Sequence, residues 1–204
     1  MTEVEATDHL ILEAAREVFL KKGFAGARME DIAKTAGMNR ALLHYYFRSK
    51  RELFQIVFDK HFTELQSGLQ DILSSEVILT EKIQLIINFY LDKLEANPDL
   101  PAFIIQELTV NPERLFLLIK EKQRLPGRTR LVFEEQVREA VRKGRIREID
   151  SRHLIINILS LVVFPYIGRP YAKMFLELDE PSYNAFLKIR RREISSFILK
   201  SIQP

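Results

Sequence analysis

The chain has 204 residues, of which 47% are apolar, enough for a sizeable core and too many for wholesale disorder. Its 31 basic and 28 acidic residues leave a formal charge of +3, a mild excess that does not by itself imply nucleic acid. With no cysteine there is no disulfide framework and no thiolate zinc site, which fits a reducing, cytoplasmic setting.

In chain order, Met1 to Asp8 is acidic and polar and lacks the regions of a signal peptide. Leu10, Ala14 and Val18, flanked by Ile11, Ala15 and Phe19, make one wide apolar stripe at helical spacing. A first helix is therefore expected from a cap at Thr7 or Asp8 to Gly23, with Lys21 and Lys22 complementing the dipole of its last turn. A short second helix spans Met29 to Ala36, with Ile32, Ala33 and Ala36 inward, and Gly37 ends it. Asn39 is a suitable N-cap for a third helix, Arg40 to Phe47, with Leu43 and Tyr46 or Phe47 inward. Ser49-Lys50-Arg51-Glu52 reads as a capping box opening a fourth helix through Leu65 and out of the small domain.

Longer helices are expected at 80–96, 99–109, 112–124, 127–143, 151–171 and 182–202, punctuated by Asn97-Pro98, Asn111-Pro112, Pro126-Gly127, Gly144, Asp150-Ser151 and Glu180-Pro181-Ser182. No strand signal stands out. The near-apolar run from Leu154 to Gly168 is interrupted by Asn157, Ser160 and Pro165, and reads as a buried helix, not a membrane span. The fold class is thus all-α, with a helix-turn-helix domain over 8–68 and a larger helical domain over 69–204.

Function is concentrated between Asp31 and Phe47, where short helix, glycine turn and short helix form a helix-turn-helix pattern over about 31–50. From Ile32 to Arg51 the charged residues are Lys34, Arg40, Arg48, Lys50 and Arg51, all basic. The helix opened by Asn39 directs Arg40, Ala41, Leu42, His44 and Tyr45 away from Leu43 and Tyr46, suited to the major groove of double-stranded DNA. Lys50, at a helix N-terminus, is expected at phosphate.

The stretch from about Asp8 to Gly68 resembles the DNA-binding domain of the TetR/AcrR family of bacterial transcriptional regulators. The motifs are Ala14-Ala15…Phe19, Lys22-Gly23-Phe24, Asp31-Ile32-Ala33…Ala36-Gly37 and Leu43…Tyr46-Phe47…Ser49-Lys50…Glu52-Leu53. The resemblance implies a three-helix head, a homodimer on a pseudo-palindromic operator, and repression relieved by a ligand in the C-terminal domain. Three positions depart from the pattern. Arg28 replaces the usual Ser or Thr before the second helix, where by the resemblance it can still reach phosphate but cannot cap; Ala41 stands where Gly is common, and His44-Tyr45 reverses the common order.

For the C-terminal domain the expected effector is small and lipophilic, with Phe89, Tyr90, Phe103, Ile104, Glu107 and Phe116 as candidate lining. Leu154, Ile158, Leu161 and Val162, with Phe186, Ile194, Phe197 and Ile198, read as two apolar helix faces meeting a second protomer in a four-helix seam. The alternative is a C-terminal protein-interaction module with no small ligand. No catalytic constellation, metal-ligand spacing or cofactor motif is evident, so neither enzyme activity nor a cofactor is expected.

Overall fold

The computed structural model of the protein describes residues 3–110, 113 and 126–204, without the side chains of 3–5, 107, 108 and 126–129. Among them are ten helices and no strand: α1 (Glu3–Gly26), α2 (Met29–Thr35), α3 (Arg40–Tyr46), α4 (Lys50–Ser74), α5 (Leu79–Ala96), α6 (Leu100–Val110), α7 (Pro126–Arg142), α8 (Ser151–Ile167), α9 (Arg169–Phe175) and α10 (Glu180–Ser201). The helix expected at 112–124 lies outside the described residues. No single helix among those described is long and apolar enough to cross a membrane.

Two compact units divide the chain. The first holds residues up to Leu65 and the segment beginning at Ala102; the second holds Gln66–Pro101 and the C-terminal part through Pro204. The division therefore falls three residues before the expected boundary, and part of α6 belongs with the N-terminal unit. Periodicity cannot reveal this, because it orients a helix without saying which core the helix joins.

In the N-terminal unit, Ile11, Ala14, Ala15, Val18 and Phe19 of α1 are buried, whereas Leu10, expected in the same stripe, is 51% exposed and lies off the buried face. Gly23 interrupts α1 at φ 64°, ψ 177°, a region essentially reserved for glycine. A Cβ there would also come within 2.6 Å of Gln106 Oε1. Phe54 of α4 meets Phe19, Phe24 and Phe103 with ring centroids 5.0, 4.9 and 5.1 Å away. Phe103 also lies 5.8 Å from Phe58, so this residue serves the N-terminal core.

In the C-terminal unit α5 packs against α7, α8 and α10, and α8 contacts α7, α9 and α10. The end of α4 is anchored by Lys82, whose buried ammonium donates to the carbonyls of Leu73 at 2.9 Å and Ser75 at 2.6 Å. Gln136 Nε2 donates to the Leu73 carbonyl as well, at 3.1 Å. Burial pushes the Lys82 pKa down, and the helix C-terminus supplies the partial negative charge that offsets the desolvation.

The single helix expected over 151–171 is two, α8 and α9, bent by 81°. Pro165 lies in the last turn of α8, Gly168 follows, and Pro170 opens α9. A proline at 165 cannot donate to the Leu161 carbonyl; Arg190 Nη2 does so instead, at 3.3 Å. The Tyr183 hydroxyl, fully buried, donates to the Pro165 carbonyl at 2.7 Å. α10 thereby supplies partners to backbone at the kinked end of α8. Asp150 caps α8 through the Arg152 N–H, and Arg152 holds its carboxyl at a pKa of about 2.

Candidate nucleic-acid interface and apolar cavity

The loop between α2 and α3 is a Schellman turn. Gly37 donates to the Lys34 carbonyl at 3.1 Å, and Met38 to that of Ala33 at 3.0 Å. Gly37 has φ +69°, and a Cβ on it would meet nothing within 4 Å, so the backbone angle and not lack of space demands glycine. Asn39 then starts α3: its side chain accepts from the Leu42 N–H at 2.8 Å. Leu43 is fully buried and Phe47 nearly so, which fixes the rotation of α3.

That rotation leaves Arg40, Ala41, Leu42 and Tyr45 exposed, with His44 half-buried. Tyr45 is 82% exposed, its ring edge-on to Tyr46 at 5.4 Å. Arg40 is held from two sides. Its Nη1 pairs with Glu30 of α2 at 2.5 Å, and its Nε donates to His44 Nε2 at 3.4 Å. Sequence reasoning missed Glu30, an acidic residue ten positions before Arg40 that the glycine turn folds back beside it. Lys22 pairs with Asp31 at 2.9 Å, and this bond holds the Asp31 carboxyl below the usual range.

Arg28 occupies the N-cap of α2 with extended backbone and no side-chain cap hydrogen bond, as a residue without a short acceptor must. Its side chain is exposed on this unit. The capping box of α4 forms with one shift. Ser49 Oγ accepts from the Glu52 N–H at 3.2 Å, while the Glu52 carboxylate accepts from Arg48, one residue earlier than Ser49.

Lys50 has partners that the sequence reading did not foresee. Its ammonium donates to the carbonyls of Phe24 at 2.8 Å and Ala27 at 2.9 Å and lies 4.5 Å from the Phe24 ring centroid. It is a half-buried clamp between the start of α4 and the α1–α2 connection, a role beyond the phosphate contact expected of it. The spacing gave no warning, because the carbonyls lie 26 and 23 residues upstream.

The C-terminal unit contains a cavity of about 310 Å³ lined by Gln66, Leu69 and Leu73 of α4, Ile86 and Tyr90 of α5, Arg130 and Phe133 of α7, and Ile155, Ile158 and Leu159 of α8. Of the candidate lining residues whose side chains are described, only Tyr90 lines it, and burial pushes the Tyr90 hydroxyl pKa up. Phe89 packs instead against Gly68 and Tyr90. Phe103 and Ile104 belong to the N-terminal unit. The side chain of Glu107, and Phe116 altogether, lie outside the described residues. The missed signal was in α4, where Gln66, Leu69 and Leu73 recur at helical spacing beyond the end of the head.

The seam residues also need correction. Leu154, Ile158, Val162, Ile194 and Ile198 are at most 3% exposed in the single chain, so they have no surface to offer a partner. Leu161 and Phe186 are half-buried, and only Phe197, 64% exposed, stands clear. α8 is apolar almost all round, and periodicity cannot say which of its faces turns inward.

Three comparisons bear on this arrangement. Residues 11–57 match the family profile described as bacterial regulatory proteins, tetR family. The chain is 32% identical over 85 residues to the HTH-type transcriptional activator FasR of Mycolicibacterium smegmatis, covering 42% of this chain and 39% of that one. It is 34% identical over 93 residues to the HTH-type transcriptional repressor NicS of Pseudomonas putida, covering 44% of each. The matched stretch is thus less than half the length of either relative. Along nearly the whole chain, the fold is similar to the ketosteroid transcriptional regulator KstR2 of Mycobacterium tuberculosis, with a TM-score of 0.70 at 17% identity, covering 95% of this chain and 93% of that one. The segment that builds the helix-turn-helix thus matches the tetR family of bacterial regulatory proteins, and the chain's all-helical fold is similar to that of such a regulator.

Proposed function

We propose that the protein is a DNA-binding transcriptional regulator that acts as a homodimer and answers to a small lipophilic effector. The observation that carries the reading is α3: capped by Asn39, pinned by Leu43, and turned so that Arg40, Ala41, Leu42 and Tyr45 face solvent. A helix presented in this way fits the major groove and brings its N-terminal residues to base edges. Arg28 supplies a backbone contact beside it. FasR is an activator and NicS a repressor, so control of either sign is compatible with this head; the expected repressor is one of the two.

Dimerisation is supported by apolar side chains that the single chain leaves uncovered. Ile156 and Phe164 on α8 are 60% and 57% exposed, and Ile189 and Phe197 on α10 are 53% and 64% exposed. Two such helix faces from each protomer make a four-helix seam. The effector site is the cavity beside Tyr90, whose size suits a small ligand.

The test is selection of bound fragments from random duplex DNA by the purified chain. An enriched pseudo-palindrome is expected, with half-sites about one helical turn apart, ~34–36 Å, or a little more. Recovery of unenriched DNA at low salt overturns the reading. The position of the selected site against a promoter then gives the sign of control.

A further inference from the structure

The cavity is apolar but not uniformly so. Leu69, Ile86, Phe133 and Ile158 make an apolar enclosure, and three polar side chains enter it: Gln66, Tyr90 and Arg130. A cavity of roughly 150 Å³ holds one benzene. The ~310 Å³ here therefore suits an apolar body about twice that size, of around ten to twelve carbon atoms. A second depression of about 270 Å³ adjoins it through the shared Arg130, lined also by Glu134, Arg138, Asp150, Ser151 and Arg152. Its three arginines are all ion-paired, Arg138 with Glu135 at 2.7 Å. Within it Asp150 is already bound to Arg152, by contacts of 2.6 to 3.1 Å. Arg130 pairs with Glu134 through one of its terminal nitrogens, Nη1, and keeps further N–H groups for another acceptor.

We infer that the effector is an anionic amphiphile, a straight-chain carboxylate of medium length. Its chain fills the apolar cavity and its carboxylate docks on Arg130 at the junction with the polar depression. This deepens the reading of the cavity as an effector site and gives the effector's chemical class. A hydrocarbon offers Gln66 and Tyr90 no hydrogen-bond partner, and a cation meets the Arg130 guanidinium. A carboxylate takes a planar, charge-assisted bond from the arginine, while the neutral polar groups can serve its oxygens. Glu134 competes for the same guanidinium and repels the incoming charge.

The experiment is isothermal titration of the full-length chain, without DNA, with decanoate and with decan-1-ol. Decanoate is expected to bind at least tenfold more tightly than the alcohol. Arg130→Gln should abolish that preference and leave alcohol binding unchanged, whereas Glu134→Gln should tighten decanoate several-fold. Opposite signs at the two members of one ion pair are not what a merely structural bridge gives, since breaking it from either side would then weaken binding alike. Equal affinity for acid and alcohol, or loss of decanoate binding in both variants, overturns the inference. So does the absence of binding by either compound. If decanoate binds but selection from random DNA yields nothing, the regulator reading fails and this inference stands; the reverse outcome leaves the regulator reading in place.

Discussion

The two units put their apolar side chains to different uses. In the N-terminal unit the large ones converge on Phe54, and the product is an outward surface: α3 is rotated by its own buried Leu43 until Tyr45 stands in solvent. In the C-terminal unit the helices pack around an inward space, and α8 and α10 still leave Phe164, Ile189 and Phe197 uncovered. A surface made by short capped helices is determined by local chemistry. A cavity is determined by which of several apolar faces meet, which is a property of the assembled unit. The head should therefore fail through its core and its clamps, and lose DNA without losing stability when only its outer face is changed.

The largest effect is expected from Phe54→Ala. Removing a ring with four aromatic neighbours costs about 3–5 kcal/mol, a large part of a small unit's stability. DNA binding should vanish and thermal melting should show loss of the N-terminal unit; a variant that melts like the parent contradicts the core described here. Next comes Lys50→Met, which strips the Phe24 and Ala27 carbonyls of a charged donor. A lost hydrogen bond to a charged group costs about 1.5–3 kcal/mol. Chemical denaturation should record it with no DNA present, whereas a residue acting only on phosphate would change the salt dependence alone.

Arg40→Ala separates surface from core. It should leave the melting curve in place and weaken the selected site by about 1–3 kcal/mol, while binding to unrelated duplex changes little. Glu30→Gln should act more weakly and in two directions. It removes a negative charge near the DNA, so unrelated duplex binds more tightly in fluorescence anisotropy. It also frees Arg40, so discrimination falls. The exposed pair itself is worth at most about 1 kcal/mol. An unchanged ratio of specific to non-specific affinity removes Glu30 from the account.

The smallest change is a slope with pH. His61 of α4 is buried, its Nε2 has no hydrogen-bond partner among the described residues, and desolvation lowers its pKa below the ordinary value of 6.5, with Glu64 opposing and Arg16 and Lys60 assisting. Below that value the unfolded chain takes up a proton that the folded chain resists, so this contribution to stability is complete above it and is lost as pH falls toward the native pKa. Denaturation midpoints should decline on that acid side, and the decline should flatten in His61→Phe; an identical profile in the variant assigns the slope elsewhere.

Much of the head was legible in the sequence because each boundary carries its own chemistry. Gly37, Asn39 and the Ser49–Glu52 box act within five residues of themselves, and each forms the predicted turn or cap, with Glu52 displaced by one residue. The same held for Gly144 and Asp150 in the C-terminal unit. What escaped was everything that needs a distant partner. Lys50 found carbonyls more than twenty residues away, and Phe103 joined the N-terminal core. Ile158, taken for a dimer contact, lines the cavity. α8 shows why, since a helix apolar on all sides carries no periodic mark of its inner face.

The central claim is that the outer face of α3 meets the bases of duplex DNA. A photoreactive residue placed at position 45 and irradiated on the selected duplex tests it most directly, with one at Leu85, exposed on α5, as the control. Cross-links to bases from position 45 and none from position 85 are the predicted result. Cross-links from position 85, with none from position 45 on a duplex that remains bound, would contradict it.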